Sequence, residues 1–318
     1  MKLIIQIPCF NEESTLPIAL AELPREVAGC SEVEWLIIDD GSSDATGDVA
    51  RAHGVDHVIR HTQNQGLARA FMTGLELALE LGADIIVNTD ADNQYHGGDI
   101  EKLVAPVVAG QADLVIGERP ISHIEHFSRL KKLLQKLGSW VVRKASGTDI
   151  PDAPSGFRAI SRAAATQLNV FNNYTYTLET IIQAGQRNMA IVSVPVRVNE
   201  DLRPSRLVKS IPSYIKRSMI TIVRIFVIYR PFRFFAAIGM GSFIFGTLLG
   251  LRFIIYWLIG QGDGHVQSLI LAAVLLIAGF QTMLVAFLAD QLAVNRLLLQ
   301  QIRSRLLSSQ IGRSESAQ

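Results

Sequence analysis

Two carboxylates separated by one residue, Asp90-Ala91-Asp92, directly follow the apolar run Ile85–Asn88. At the C-terminal end of a strand such a pair can share a divalent cation, and Gln94 can add a carbonyl ligand. The cation can bridge the protein to a diphosphate, because Mg²⁺ and Mn²⁺ favour oxygen ligands and phosphates. Alone, this spacing also fits a solvated loop with helix-capping acids. Two further clusters add to it: Pro8-Cys9-Phe10-Asn11-Glu12-Glu13 and Asp39-Asp40-Gly41-Ser42-Ser43-Asp44, each again following a short apolar run. Ligands of doubly wound sheets bind at the C-terminal ends of strands. Asp39, Asp40 and Asp90 would then gather on one rim. Acids there suit the hydroxyls and ring N–H groups of a nucleoside and, through a metal, its diphosphate.

The elements that must carry these clusters can be read from periodicity. Residues 3–7, 35–38, 84–88 and 113–116 are short, apolar and rich in Ile and Val. Residues 14–22, 44–52, 66–81 and 99–108 have helical spacing, with Ser14 placed to begin one helix and Gly82 to end another. The alternation predicts an α/β fold with a mostly parallel sheet. No internal repeat or low-complexity segment interrupts it.

The chain has 318 residues, enough for one such domain and a smaller appendage. Net charge is +1, which singles out no partner, and no nucleic acid is expected. Cys9 and Cys30 match no metal spacing and read as free thiols in a reducing compartment. The seven histidines form no ligand-like cluster. The first residues are not a convincing signal peptide, since Gln6, Asn11, Glu12 and Glu13 break the apolar run.

Composition changes near residue 205. Residues 207–230 mix aliphatic side chains with Lys209, Lys216, Arg217, Arg224 and Arg230, as expected of helices lying in a membrane interface. Residues 238–258 and 266–288 are apolar spans, each long enough to cross a hydrocarbon core, for which ~20 residues suffice. Arg252 is the one charge in the first span, within reach of snorkelling. The connector 259–265 has no Lys or Arg, whereas Arg230, Arg233, Arg296, Arg303 and Arg305 flank the pair. The positive-inside rule then places the catalytic domain and both termini in the cytoplasm, with two transmembrane helices in the inner membrane.

The segments PCFNEE, DDGSSD, NQG at 64–66 and DADNQ at 90–94 resemble family 2 glycosyltransferases of the GT-A fold. Asp152-Ala153-Pro154-Ser155-Gly156-Phe157-Arg158 resembles the D-x-x-S/C-G-F-R segment of the polyprenyl-phosphate branch, which includes dolichyl-phosphate mannose synthases and bacterial undecaprenyl-phosphate glucosyltransferases. The resemblance implies a GT-A catalytic domain over 1–206, juxtamembrane helices over 207–231, two transmembrane helices over 232–290, and a cytoplasmic helix and tail over 291–318. It also implies that Asp39 and Asp40 hold base and ribose, with Pro8 and Glu12 lining that pocket. Asp90, Asp92 and Gln94 would hold Mg²⁺ or Mn²⁺. Arg119 would face the acceptor phosphate, and Arg203 and Arg206 the donor diphosphate. The last pair departs from the family's R-x-x-G-x-S-K: the glycine is absent and Leu207 follows. Lys131 and Lys132 lie in a basic stretch suited to anionic headgroups or the acceptor phosphate.

The activity implied is inverting transfer of a hexose, with glucose from UDP-glucose the favoured choice, to undecaprenyl phosphate. Asp152 is a base, a positioning residue, or a loop carboxylate bonded to the backbone before Pro154. A phosphate monoester has a second pKa of ~6 and needs little proton removal at neutral pH. Three alternatives stand beside this reading. One is a GDP-mannose-using enzyme of the same branch. Another is a processive synthase, which would carry the missing Q-x-x-R-W. The third is a non-catalytic nucleotide-sugar-binding scaffold. Residues 291–307 have helical apolar spacing through Leu292, Leu299, Ile302 and Leu306, compatible with a homo-oligomer or with lying on the membrane.

Overall fold

The computed structural model describes residues 1–120, 139, 140, 142, 143, 146–170, 176–200, 220, 223–225 and 227–315. Lys131, Lys132, Arg203, Arg206 and most of the amphipathic segment 207–230 lie outside them. The described residues divide between two compact units, Met1–Ser218 with Gln300–Gln318, and Met219–Leu299.

The first unit is built on a seven-stranded sheet: β1 (Lys2–Cys9), β2 (Glu32–Asp39), β3 (His57–Arg60), β4 (Ile85–Asn88), β5 (Leu114–Glu118), β6 (Arg158–Ser161) and β7 (Ile191–Pro195). Their order is β3-β2-β1-β4-β6-β5-β7. All neighbours are parallel except β6, which runs antiparallel to both β4 and β5. Leu3 to Cys9 are buried without a break, the pattern of a parallel strand covered on both faces. The predicted strands at 3–7, 35–38, 84–88 and 113–116 are β1, β2, β4 and β5. The other three were not anticipated.

Helices α1 (Leu16–Glu22), α2 (Thr46–Ala52), α3 (Leu67–Glu80) and α4 (Ile100–Val108) connect the strands. The short α5 (Arg162–Ala165) and α6 (Thr177–Gln186) come after β6. Ser14 does not cap α1. The helix starts at Leu16 after Thr15, whose hydroxyl is spent on Glu12 Oε2 at 2.7 Å. Gly82 does close α3, with φ at +83°, a conformation that disfavours any Cβ.

Register fixes the site. Cys9 pairs with Asp39, so the turns after β1 and β2 begin at the same level. Gln6 pairs with Asn88, which brings the turn after β4 beside them. Antiparallel β6 then sets Arg158 opposite both Asn88 and Ile116.

The second unit contains α7 (Pro231–Leu258) and most of α8 (Val266–Glu315), joined by a connector with one short helical turn at Gly262–His265. Mean hydropathies of 1.9 and 2.4 make both helices long and apolar enough to cross a membrane. Only 11% and 17% of their apolar windows are buried, whereas a helix in a soluble core would be mostly covered. Small residues let the backbones meet: a Cβ on Gly239 would lie 2.9 Å from Gly279 O, and Ser242 Oγ donates to Leu275 O at 3.0 Å. The Arg252 guanidinium lies 5.6 Å from the centre of the Tyr256 ring. Along α8, Leu292, Leu299, Ile302 and Leu306 are all exposed.

Candidate active site

The turns after β1 and β2 brace each other. Asn11, at φ +55°, donates its N–H to Ser42 Oγ at 2.9 Å, and Ser43 N–H returns a bond to Asn11 Oδ1 at 2.8 Å. Glu12 N–H reaches Thr46 Oγ1 at 2.9 Å. Pro8 and Glu12 are both buried beside this junction.

Asp39 is fully buried. Its Oδ1 accepts from Ser42 N–H at 2.8 Å, while Oδ2 lies 3.4 Å from Arg60 Nε and accepts no hydrogen bond. An orphaned buried carboxylate oxygen has acceptor capacity left for a ligand N–H or hydroxyl. Asp40 differs. Its oxygens take His61 Nδ1 at 2.7 Å, Gln65 N–H at 2.9 Å and Gly66 N–H at 2.8 Å, so this carboxylate is occupied in folding the N-Q-G loop back onto β2. Gly41 makes that packing possible: its φ is +72°, and a Cβ there would sit 2.6 Å from the Gln63 backbone.

Asp90 and Asp92 stand on the turn after β4, both half-buried. Among the described residues no side chain or backbone N–H donates to the Asp90 carboxylate. Burial first, and then the Asp92 charge, push the Asp90 carboxyl up to about 7. Asp92 Oδ1 accepts from Gln94 N–H at 3.2 Å. Among the described residues no three His, Cys, Asp or Glu side chains converge as a metal cage. Two crowded carboxylates and an amide instead fit a cation that arrives with phosphate oxygens of its own, the usual habit of Mg²⁺.

Below Asp90 a polar ladder crosses the sheet. Gln6 Nε2 donates to Asn88 Oδ1 at 2.9 Å, and Asn88 Nδ2 donates to Tyr176 Oη at 2.8 Å and to Gly156 O at 2.9 Å. The Tyr176 ring stacks on Phe71 with centroids 3.9 Å apart. Gly156 has no room for a side chain: a Cβ would meet Tyr176 Oη at 2.8 Å and Asp90 Oδ2 at 3.0 Å.

Asp152 and Arg119 form a buried ion pair. Asp152 is fully buried and Arg119 is nearly so, with its side chain 10% exposed. Nε donates to Oδ2 at 2.7 Å, Nη2 to Oδ1 at 3.0 Å, and the Arg119 N–H to Oδ2 at 3.2 Å. Burial opposes the Arg119 charge, yet Tyr95, Asp152 and Asp90 outweigh it and hold the guanidinium protonated beyond its ordinary range. Tyr95 Oη accepts from Gly156 N–H at 3.0 Å, tying the turn after β4 to the Asp152–Arg158 segment.

Sequence reasoning passed over Asn88, Tyr95, Tyr176 and Arg158. Arg158 is wholly buried, donating Nε to Ser155 O at 2.8 Å and Nη2 to Ala153 O at 2.9 Å. Burial lowers its guanidinium to about 10. The signal for it was its place at the end of the D-x-x-S-G-F-R segment.

A mostly parallel sheet with one antiparallel strand, and acids gathered where the strands end, is the architecture of the GT-A fold. The chain matches the Glycosyl transferase family 2 model over residues 4–168; it belongs to that family and is a glycosyltransferase. It is 30% identical over 218 residues to the undecaprenyl-phosphate mannosyltransferase of Micrococcus luteus, covering 65% of this chain and 88% of the relative. It is also 30% identical over 213 residues to the UDP-N-acetylglucosamine–dolichyl-phosphate N-acetylglucosaminyltransferase of Methanococcus voltae, covering 60% and 83%. Its fold matches glucosyl-3-phosphoglycerate synthase of Mycobacterium tuberculosis, solved with Mn²⁺, UDP and phosphoglyceric acid. That match has a TM-score of 0.54 and 22% identity over 70% of this chain and 78% of that one.

Proposed function

We propose that this chain transfers a hexose from a nucleoside diphosphate sugar to a polyprenyl phosphate at the cytoplasmic face of the inner membrane. The observation that carries this reading is the presence, in one family 2 chain, of a cluster of acids at the strand ends and two long apolar helices that are mostly uncovered. The prenyl chain of such an acceptor prefers hydrocarbon by ~0.8 kcal/mol per buried CH₂. The catalytic domain must therefore be held where the lipid's phosphate emerges. The two named relatives act, by their names, on lipid phosphates.

In this reading Asp39 Oδ2 takes an N–H or hydroxyl of the nucleoside in the pocket beside Pro8 and Glu12. Asp40 acts through the loop it holds. Asp90, Asp92 and Gln94 hold Mg²⁺ or Mn²⁺, which when bound supplies Lewis-acid neutralisation of the leaving diphosphate. Arg119 faces the acceptor phosphate, and Asp152 fixes its guanidinium. The acceptor is already mostly a dianion at neutral pH, and Asp152 is committed to three donors, which supports positioning over proton abstraction. Arg203, Arg206, Lys131 and Lys132 keep the phosphate-facing roles that the resemblance implies.

UDP-glucose is our choice of donor, resting on the resemblance; the two named relatives carry other sugars in their names. The test is radiolabel transfer from UDP-glucose, GDP-mannose and UDP-N-acetylglucosamine into an organic-extractable lipid, with Mn²⁺ or EDTA. Transfer that requires metal and polyprenyl phosphate is expected. Undiminished transfer in EDTA overturns the metal assignment, and no transfer from any donor overturns the reading.

A further inference from the structure

The turn that carries the acids of the proposed metal site is shaped by a residue outside it. Asn93, between Asp92 and Gln94, has φ +56° and is 6% exposed. Asn is among the few residues that tolerate this left-handed geometry, and here its side chain is tied to a residue outside the turn. Asn93 Nδ2 donates to Glu22 Oε1 at 3.1 Å. Asn199, beyond β7, donates Nδ2 to Glu22 Oε2 at 2.9 Å and to Asn93 O at 3.1 Å. The Asn199 N–H goes to Gln94 O at 2.9 Å. Tyr95 and Val198 form an antiparallel bridge alongside.

Glu22 is the last residue of α1 and lies hard against the next stretch of the same turn, since a Cβ on Gly97 would be 2.3 Å from Glu22 O. Burial works against the Glu22 charge, but the bonds from Asn93 and Asn199 hold the carboxyl below its usual range. Two amides donate here, one to each oxygen, so the centre must be an acceptor with no proton of its own. A carboxylate meets that need, whereas a glutamine would turn an N–H toward one of the donors.

We propose that Glu22 is a positioning residue for the divalent cation: through Asn93 and Asn199 it sets the spacing of Asp92 and Gln94. The proposal rests on the reading that Asp90, Asp92 and Gln94 hold that cation. A ligand set built on two carboxylates is sensitive to small displacements, and outer partners of metal ligands commonly change affinity by ~10–100-fold.

The experiment is Mn²⁺ binding to the full-length protein in detergent, read by electron paramagnetic resonance of free Mn²⁺ in the presence of UDP or GDP, whichever the wild type binds. Glu22→Ala is expected to raise the Mn²⁺ Kd about tenfold or more. The Mn²⁺ concentration for half-maximal transfer should rise in parallel, with kcat at saturating Mn²⁺ within about twofold. Glu22→Gln should fall between the two. Glu34→Ala is the control: it removes a carboxylate bonded to Lys2 Nζ at 2.8 Å and His57 Nε2 at 2.9 Å, far from the turn in sequence, and should change thermal stability but not the Mn²⁺ Kd. If Glu22→Ala does not fold, Asn199→Ala decides, with a rise of the same sign expected. An unchanged Mn²⁺ Kd in the folded variant overturns the inference. Failure of the wild type to bind Mn²⁺ with either nucleotide overturns instead the metal reading beneath it.

Discussion

Arg119 grips Asp152 with both ends of its guanidinium, Nε to Oδ2 at 2.7 Å and Nη2 to Oδ1 at 3.0 Å, and both side chains are shielded from solvent. Breaking a buried pair by removing one partner typically costs ~3–5 kcal/mol, because the other charge is left uncompensated. The pair also fixes the plane of a cation that lies close to Asp90, and fixed charge near a reacting phosphate is worth more than mobile charge.

Asp152→Asn is therefore expected to lower kcat on the order of 10²–10³-fold, the scale for loss of one preorganised electrostatic contact. A positioning role leaves the limbs of the kcat–pH profile where they were. A general base would take its limb with it. The double variant with Arg119→Ala should be little worse than the more impaired single variant, since both remove one interacting unit. Stopped-assay kinetics over pH 5.5–8.5 on the three variants provide the check.

Gly156 has no space for a side chain. A methyl group there would press on Tyr176 Oη at 2.8 Å and Asp90 Oδ2 at 3.0 Å, and the tyrosine is held by its stack on Phe71. Overpacking of this kind costs ~1–3 kcal/mol. Gly156→Ala should lower the thermal midpoint and cut transfer at least about tenfold by displacing Asp90. Adding Tyr176→Phe removes one of the two clashes and should recover part of the stability. Thermal melts and transfer rates of the pair decide whether Tyr176 or Asp90 bears the strain.

The catalytic half of the sheet was legible in the sequence wherever burial on both faces wrote a continuous apolar run, as in β1 and β4. β3 was not: His57-Val58-Ile59-Arg60 is four residues on the sheet edge, with Ile59 exposed and two polar ends. β6 opens with an arginine, and its antiparallel placement is decided by partners remote in the chain. The acid clusters were legible because turn chemistry at strand ends is local. Their division of labour was not. Asp39 and Asp40 are adjacent and identical, yet one keeps an unbonded oxygen while the other is consumed by three donors from the 61–66 loop. Arg158 shows the same limit, since composition assigns arginine to the surface. The bond between Glu22 and Asn199 spans 177 positions, a distance at which periodicity carries no information.

Orientation in the membrane can be tested at the connector. Gly264 has open space around its Cα, whereas a Cβ at Gly262 would press on Trp257 at 3.0 Å. Gly264→Cys should therefore report position without disturbing the helix pair. If the positive-inside assignment holds, this cysteine reacts with an impermeant maleimide on intact cells, and Ser309→Cys reacts only after lysis. The native thiols give little background, since Cys9 is buried and Cys30 half-buried. The reverse pattern would invert the assignment.

If Asp90 holds the proposed cation, metal binding is a proton-linked event. In the metal-free protein its carboxyl is pushed up to about 7 from an ordinary 3.8, by burial first and by Asp92 second. Arg119 and Arg158 pull the other way, and Glu12 adds to the rise. Between about pH 4 and 7 the folded protein thus holds a proton at Asp90 that the unfolded chain has released. Stability contributed by this group is full below the unfolded pKa and falls as pH rises toward 7. Cation affinity runs the opposite way, because the ligand must be deprotonated. Below pH 7 the Mn²⁺ Kd should improve by up to about tenfold per pH unit, then level off above it. Calorimetric titrations with Mn²⁺ and nucleoside diphosphate, in buffers of different ionisation enthalpy and corrected for the nucleotide's own protons, should show release of close to one proton at pH 6 and almost none at pH 8. Asp92→Asn should move the transition to lower pH without abolishing it, since the larger cause, burial, remains. A Kd flat across this range would mean that Asp90 is already ionised in the free enzyme, and that the crowding of the two carboxylates is relieved by something other than a proton.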